Sequence, residues 1–243
     1  MENTEKMVND LVQWLKEKIK EAGAKGLVFG LSGGIDSAVM AGISKLAFPE
    51  NSLGLIMPCH SKSEDEEHAL LIANNLDLKI DKIDLSCTFD IIKDSAGLDT
   101  YNKLAMANMK PRLRMTTLYY YAQSYNYLVA GPTNKSEFIL GYFTKHGDSG
   151  VDLLPLANFT KTKIWDMARY LKIPKIIIDK DPSAGLWKEQ TDEEEMGFSY
   201  GLLDHYIETG QGTQEVISKI ERMYETSRHK RKYPIMYKHN EIL

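Results

Sequence analysis

The chain has 243 residues, 43% hydrophobic and 26% charged, an ordinary globular balance that excludes a disordered or fibrous protein. Its formal net charge is −4, from 30 Lys+Arg against 34 Asp+Glu, the wrong sign for a protein that lives on nucleic-acid phosphates. No apolar run approaches the roughly 18 residues of a membrane helix. Two cysteines (Cys59 and Cys87) and six histidines without ligand spacing give neither a disulfide framework nor a zinc site, which fits a reducing cytoplasm.

Val8, Leu11, Val12, Leu15 and Ile19 repeat at helical spacing. The apolar face so formed, with Trp14 beside it, suits packing on its own sheet or on a second subunit. GLVFGLS, residues 26–32, is short, apolar and Gly-bounded, as expected of a strand buried on both faces of a parallel sheet. It runs into Gly33-Gly34 and a helix from Ile35 to about Ala47. Leu53 to Met57 reads as a second strand. Ser63 with Glu66 predicts a capping box before a helix ending near Leu76, with the acidic run 63–67 as its first turn. Leu78 to Leu85 predicts a third strand, 101–125 a long helix and Tyr127 to Ala130 a fourth strand. Residues 160–172 predict a helix ending before Pro174, and Lys175 to Asp179 a short edge strand. Residues 180–197 are the loosest stretch. This alternation predicts a single α/β domain, an open, mostly parallel twisted sheet with helices on both faces, Rossmann-like.

The most informative segment is Gly30-Leu31-Ser32-Gly33-Gly34-Ile35-Asp36-Ser37. Two glycines let a ligand approach the backbone, Ser32 and Ser37 add hydroxyl donors, and the helix start favours an anion. Asp36 would repel phosphate, so a divalent cation is its natural partner. The bland alternative is a glycine turn joining a strand to a helix. The string resembles the pyrophosphate loop of the ATP pyrophosphatase superfamily, whose members split ATP between the α- and β-phosphates and transfer AMP to an acceptor oxygen.

Residues 131–163, GPTNKSEFILGYFTKHGDSGVDLLPLANFTKTK, narrow the choice. They resemble the ammonia-dependent NAD synthetase family, with its G-T-x-x-x-x-E, G-[YF]-F-T-K-x-G-D, D-[LI]-x-P and T-K pattern. Asp181 to Trp187, Gln190 to Glu193 and Arg228 to Arg231 resemble further stretches of that family. The likeness runs from about residue 5 to 240. It implies an adenine nucleotide alpha hydrolase-like fold, ATP as co-substrate, Mg2+ on Asp36 and Glu137, and ATP contacts from residues 30–37, Pro132, Lys161 and Ser183. It implies contacts to deamido-NAD (nicotinic acid adenine dinucleotide) from Arg112, Lys145, Asp152, His229 and Lys230, and a homodimer with substrate sites near the interface. Where the family usually has Thr after the glycine, this chain has Pro132, with Thr133 next.

Without the family, each residue has a plainer reading. Glu137 is then a helix-start residue complementing the dipole. Lys161 is a surface lysine, although at a helix start it runs against dipole preference and hints at an anion. Ser183 is a cap, while Arg112, Lys145 and Asp152 are surface charge. His229 and Lys230 are a solvated basic tail. Cys59 and Cys87 read as packed side chains rather than catalytic thiols, and Tyr119 to Tyr121 as core and interface.

The implied reaction activates the nicotinate carboxylate as an acyl adenylate, which ammonia attacks to give NAD, AMP and pyrophosphate. Asp152 is the candidate for the ammonium proton. A glutaminase domain would need a few hundred more residues, so free ammonia is the expected nitrogen source. Residues 180–197 are expected to close over ATP. The alternatives are another ligase of the superfamily, such as a GMP synthetase ATP domain, and a nucleotide-binding sensor without turnover.

Overall fold

A computed structural model describes residues 3–98, 102–182 and 191–237. In chain order the elements are α1 (Thr4–Glu21), β1 (Gly26–Gly30), α2 (Ile35–Ala47), β2 (Ser52–Ile56), α3 (Ser63–Leu76), β3 (Lys79–Lys82), α4 (Ser86–Ala96), α5 (Lys103–Tyr125) and β4 (Tyr127–Val129). There follow α6 (Lys135–Leu140), α7 (Lys161–Tyr170), α8 (Lys175–Ile178), α9 (Asp192–Met196), α10 (Tyr200–Thr209), α11 (Gln214–Thr226) and a 3-10 turn, Arg228–Arg231. The four strands are parallel in the order β3-β2-β1-β4. Among the described residues no helix is long and apolar enough to cross a membrane.

The sheet is covered on both faces because β1 alternates. Leu27 and Phe29 enter one core, with Val8, Leu11 and Leu15 of α1, Val39 and Ile43 of α2, and Ile164 and Met167 of α7. Val28 enters the other, with Leu55, Val129, Phe89 of α4 and Leu118 and Ala122 of α5. All these side chains are buried, which is why β1 reads as a continuous apolar run. The apolar face of α1 therefore packs within its own chain. A third cluster joins α6, α9, α10 and α11 through Leu140, Met196, Tyr200, Leu203 and Ile220.

Three local expectations are corrected. Ser63 is not a capping residue: Lys62 holds the N-cap position, without a side-chain cap, and Glu66 pairs with Lys82 Nζ at 2.5 Å. The third strand stops at Lys82, because its partner reaches Pro58, which has no N–H to return to the ladder. Lys175 to Ile178 form a helical turn, not an edge strand. The outer edge of β4 is already taken by Asp152 and Leu153, whose N–H groups donate to Val129 O. Within the turn Ile177 is buried while Ile176 is exposed.

Candidate active site

The chain runs outward from β1 through β2 to β3, then crosses back to β4 on the other side of β1. The strand order reverses between β1 and β4, and open α/β sheets bind ligands at the carboxyl end of such a reversal. Both strands turn there directly into loops that start helices.

The loop after β1 enters α2 through Gly33 and Gly34. Gly33 has φ +82°, and a Cβ there would stand 2.4 Å from the Asp65 carbonyl oxygen, so only glycine fits. Ser37 Oγ donates to Gly34 O (2.8 Å) and accepts from the Ser32 N–H (3.2 Å). Gly34 is the N-cap and supplies no side-chain acceptor. The first-turn N–H groups of α2 thus lack a side-chain cap, the arrangement that receives a phosphate.

The loop after β4 enters α6 through Asn134, which forms a capping box with Glu137. Asn134 is buried, and its Nδ2 also donates to Asp36 Oδ1 at 2.8 Å, tying the two loops together. From α7, Lys161 reaches into the same place. Its Nζ lies 2.5 Å from Asp36 Oδ2 and 3.6 Å from Glu137 Oε1, and its side chain is only 2% exposed. Three residues far apart in sequence meet at the sheet edge.

Burial, and then the neighbouring Asp36 charge, push the Glu137 carboxyl up to about 8, against the pull of Lys161. Burial acts to lower the Lys161 pKa, but Asp36 and Glu137 outweigh it and hold the ammonium above the ordinary lysine range. The Nζ also sits 5.0 Å from the centroid of the Tyr200 ring, whose hydroxyl donates to Asp192 Oδ2 at 2.9 Å. Two carboxylates beside a phosphate receptor suit Mg2+, which takes one or two carboxylates and completes its shell with phosphate oxygens and water. Among the described residues no group of three or more His, Cys, Asp or Glu could hold a metal ion.

The folded pKa of Glu137 lies above the unfolded value of about 4.3, so the folded state keeps a proton that the unfolded chain releases. That contribution to stability is full below about pH 4.3 and is lost as pH rises through about 8. Ligand-free Glu137→Gln should therefore lose less of its melting temperature than wild type between pH 5 and 9; parallel curves would contradict the assignment.

The family model described as NAD synthase matches residues 7–234. A relative from Carboxydothermus hydrogenoformans, an NH(3)-dependent NAD(+) synthetase, is 56% identical over 96% of each chain. One of the same name from Finegoldia magna is 48% identical over 95% of each. The chain belongs to the NAD synthase family. Among solved structures, NMN synthetase from Francisella tularensis matches with a TM-score of 0.93 and 36% identity, covering 98% of this chain and 99% of that one. NH3-dependent NAD synthetase from Campylobacter jejuni matches with 0.83 and 28%, covering 98% and 100%.

Of the other residues expected of an NAD synthase, Lys145 and Asp152 belong to the segment 141–152, and Arg112 and Lys230 bond to it. Arg112, exposed on α5, donates through Nε to Lys145 O at 3.3 Å. Lys230 Nζ donates to the carbonyls of Gly141 and Phe143, each at 2.7 Å, so its ammonium pins the 3-10 turn to this segment. His229 is exposed. Asp152 accepts from the Val129 N–H (2.8 Å) and the Tyr119 hydroxyl (3.1 Å). Burial, then the Asp152 charge, push Tyr119 up to about 12. Pro132 is half-buried and Thr133 buried, while Ser183 lies outside the described residues. Cys59 and Cys87 form no disulfide; Cys59 is packed as expected and burial pushes its thiol up, away from reactivity, whereas Cys87 is exposed rather than packed.

Sequence reasoning gives no role to Asn134, Asp192, Tyr200 or Asp148, although Asp148 and Asp192 stand within the stretches that resemble the family. Asn134 was within reach, since Asn three residues before Glu is a capping-box pattern. Asp148 accepts from the Thr144 N–H at 2.9 Å, and burial raises its carboxyl. No local pattern announces Tyr200.

Proposed function

We propose that this chain amidates deamido-NAD with ammonia to give NAD, splitting ATP into AMP and pyrophosphate. The observation that carries the reading is the meeting of Asp36, Glu137 and Lys161 beside the α2 N-terminus, where strand order reverses. A family loop that binds phosphate is there joined to the carboxylates and the cation that pyrophosphate departure needs.

In the first step the nicotinate carboxylate attacks the α-phosphorus, and pyrophosphate leaves with the electrons of the broken P–O bond. The backbone of 32–37 receives the phosphates and Lys161 offsets their charge. Asp36 and Glu137 would hold Mg2+, which when bound neutralises phosphate charge and aligns the leaving group. In the second step ammonia attacks the acyl carbon and AMP leaves. Arg112, Lys145, Asp152, His229 and Lys230 position the dinucleotide, Pro132 and Ser183 touch ATP, and Asp152 takes the proton that ammonium gives up. Asp152→Asn should then raise the ammonium requirement at least tenfold while slowing adenylate formation less than threefold; equal effects would exclude that role.

The reading includes a cytoplasmic single-domain enzyme using free ammonia, and a homodimer. Ile91 of α4, Leu98, and Leu104 and Tyr120 of α5 are exposed apolar side chains, while the apolar face of α1 is buried within its own chain. The test is to supply ATP, Mg2+, ammonium and deamido-NAD to the purified chain and measure NAD. Glutamine should not replace ammonium. The likeness to the Francisella tularensis NMN synthetase favours one second reading, in which the mononucleotide is the acceptor. The ratio of kcat/KM for the two acceptors decides between them.

A further inference from the structure

We propose that Asp204, on α10, is a positioning residue that sets the distance between Lys161 and the acidic pair; this rests on the function proposed above. Asp204 is a carboxylate only 4% exposed. Its Oδ1 accepts from Ser136 Oγ at 2.5 Å, and its Oδ2 accepts from the Thr162 N–H at 2.8 Å and from Thr162 Oγ1 at 2.7 Å. Ser136 Oγ in turn accepts from the Lys161 N–H at 3.0 Å.

Ser136 precedes Glu137 in the first turn of α6, and Thr162 follows Lys161 in the first turn of α7. One buried carboxylate therefore joins the starts of two helices, each carrying a member of the Asp36 cluster on the adjoining residue. It also answers the sequence hint at Lys161: the anion at the α7 N-terminus is Asp204, which leaves the Lys161 side chain free to serve the acidic pair. One turn earlier on α10, the Tyr200 ring lies 5.0 Å from the Lys161 Nζ. So α10 sits under both the backbone and the ammonium of Lys161. Asp204 touches no reacting atom; it acts by holding α6 against α7.

A displacement of about 1 Å in such a site lowers turnover by about 10²-fold. For Asp204→Asn we expect kcat per folded molecule to fall about 10²-fold, the Mg2+ activation midpoint to rise severalfold, and the ammonium KM to stay within twofold. A purely structural role would lower the melting temperature and the folded fraction, leaving kcat per folded molecule and the Mg2+ midpoint unchanged; that result overturns the proposal. If Asp204→Asn does not fold, Ser136→Ala decides. It removes both hydrogen bonds of Ser136 Oγ, the one to Asp204 and the one from the Lys161 N–H, while the Asp204–Thr162 bonds remain, and should lower kcat about tenfold and shift the Mg2+ midpoint in the same direction; kcat within twofold and an unmoved midpoint overturn the proposal. Wild type in the same assay separates the two claims: no NAD from wild type defeats the proposed function, whereas a normal wild type with unchanged variants defeats only the role of Asp204.

Discussion

Asp36→Ala is expected to lower NAD formation by at least 10²- to 10³-fold, the size of loss found when one stabiliser of transition-state charge is removed. Asp36 accepts from Lys161 Nζ and Asn134 Nδ2, and it is one of the two carboxylates offered to the cation. Removing it leaves Lys161 with Glu137 at 3.6 Å and strips Asn134 Nδ2 of its acceptor. Breaking a buried ion pair costs about 3–5 kcal/mol; here the low end applies, because Glu137 still faces the ammonium. Denaturant unfolding with turnover counted per folded molecule separates the two losses. Activity above a tenth of wild type would place the phosphate chemistry elsewhere.

Lys161→Met is expected to reduce turnover by a similar factor but to change metal binding in the opposite direction. The Lys161 ammonium lies between Asp36 and Glu137, with 2.5 Å and 3.6 Å contacts, and so competes with a divalent cation for the same oxygens. Methionine keeps the length and removes the charge. Mn2+, followed by its magnetic resonance signal without nucleotide, should then bind the variant at least tenfold more tightly than wild type. A second change, Asp36→Ala, should erase that gain. Equal Mn2+ binding by wild type and Lys161→Met would show that the ammonium does not hold the acidic pair closed. Wild type is expected to gain metal affinity when nucleotide is present, because the phosphates give Lys161 another partner.

Much of this arrangement is legible in the amino-acid sequence alone. The apolar run from Gly26, the following glycines and the helix from Ile35 depend on neighbours in sequence, and each starts where local chemistry puts it, although the strand ends at Gly30 rather than Ser32. Glu137 and Lys161 are legible only through family resemblance, because a carboxylate or a lysine at a helix start has a bland reading too. Their meeting with Asp36 depends on strand order, which no periodicity encodes. The stretch 175–179 misleads because a short run rich in isoleucine favours a strand locally, while the outer edge of β4 is already occupied. Asp204 is invisible for the same kind of reason: its partners, Ser136 and Thr162, are brought to it by the packing of α10 on α6 and α7. Ser63 shows the converse error, a correct pattern one residue inside the true helix start.

The most direct test is to follow ATP labelled at the α-phosphate through one reaction with Mg2+, ammonium and the dinucleotide acid. Label should appear in AMP, with one pyrophosphate and one NAD formed per ATP consumed, and no release without the acceptor. Label in ADP, with orthophosphate as the other product, would contradict cleavage at the loop of residues 30–37.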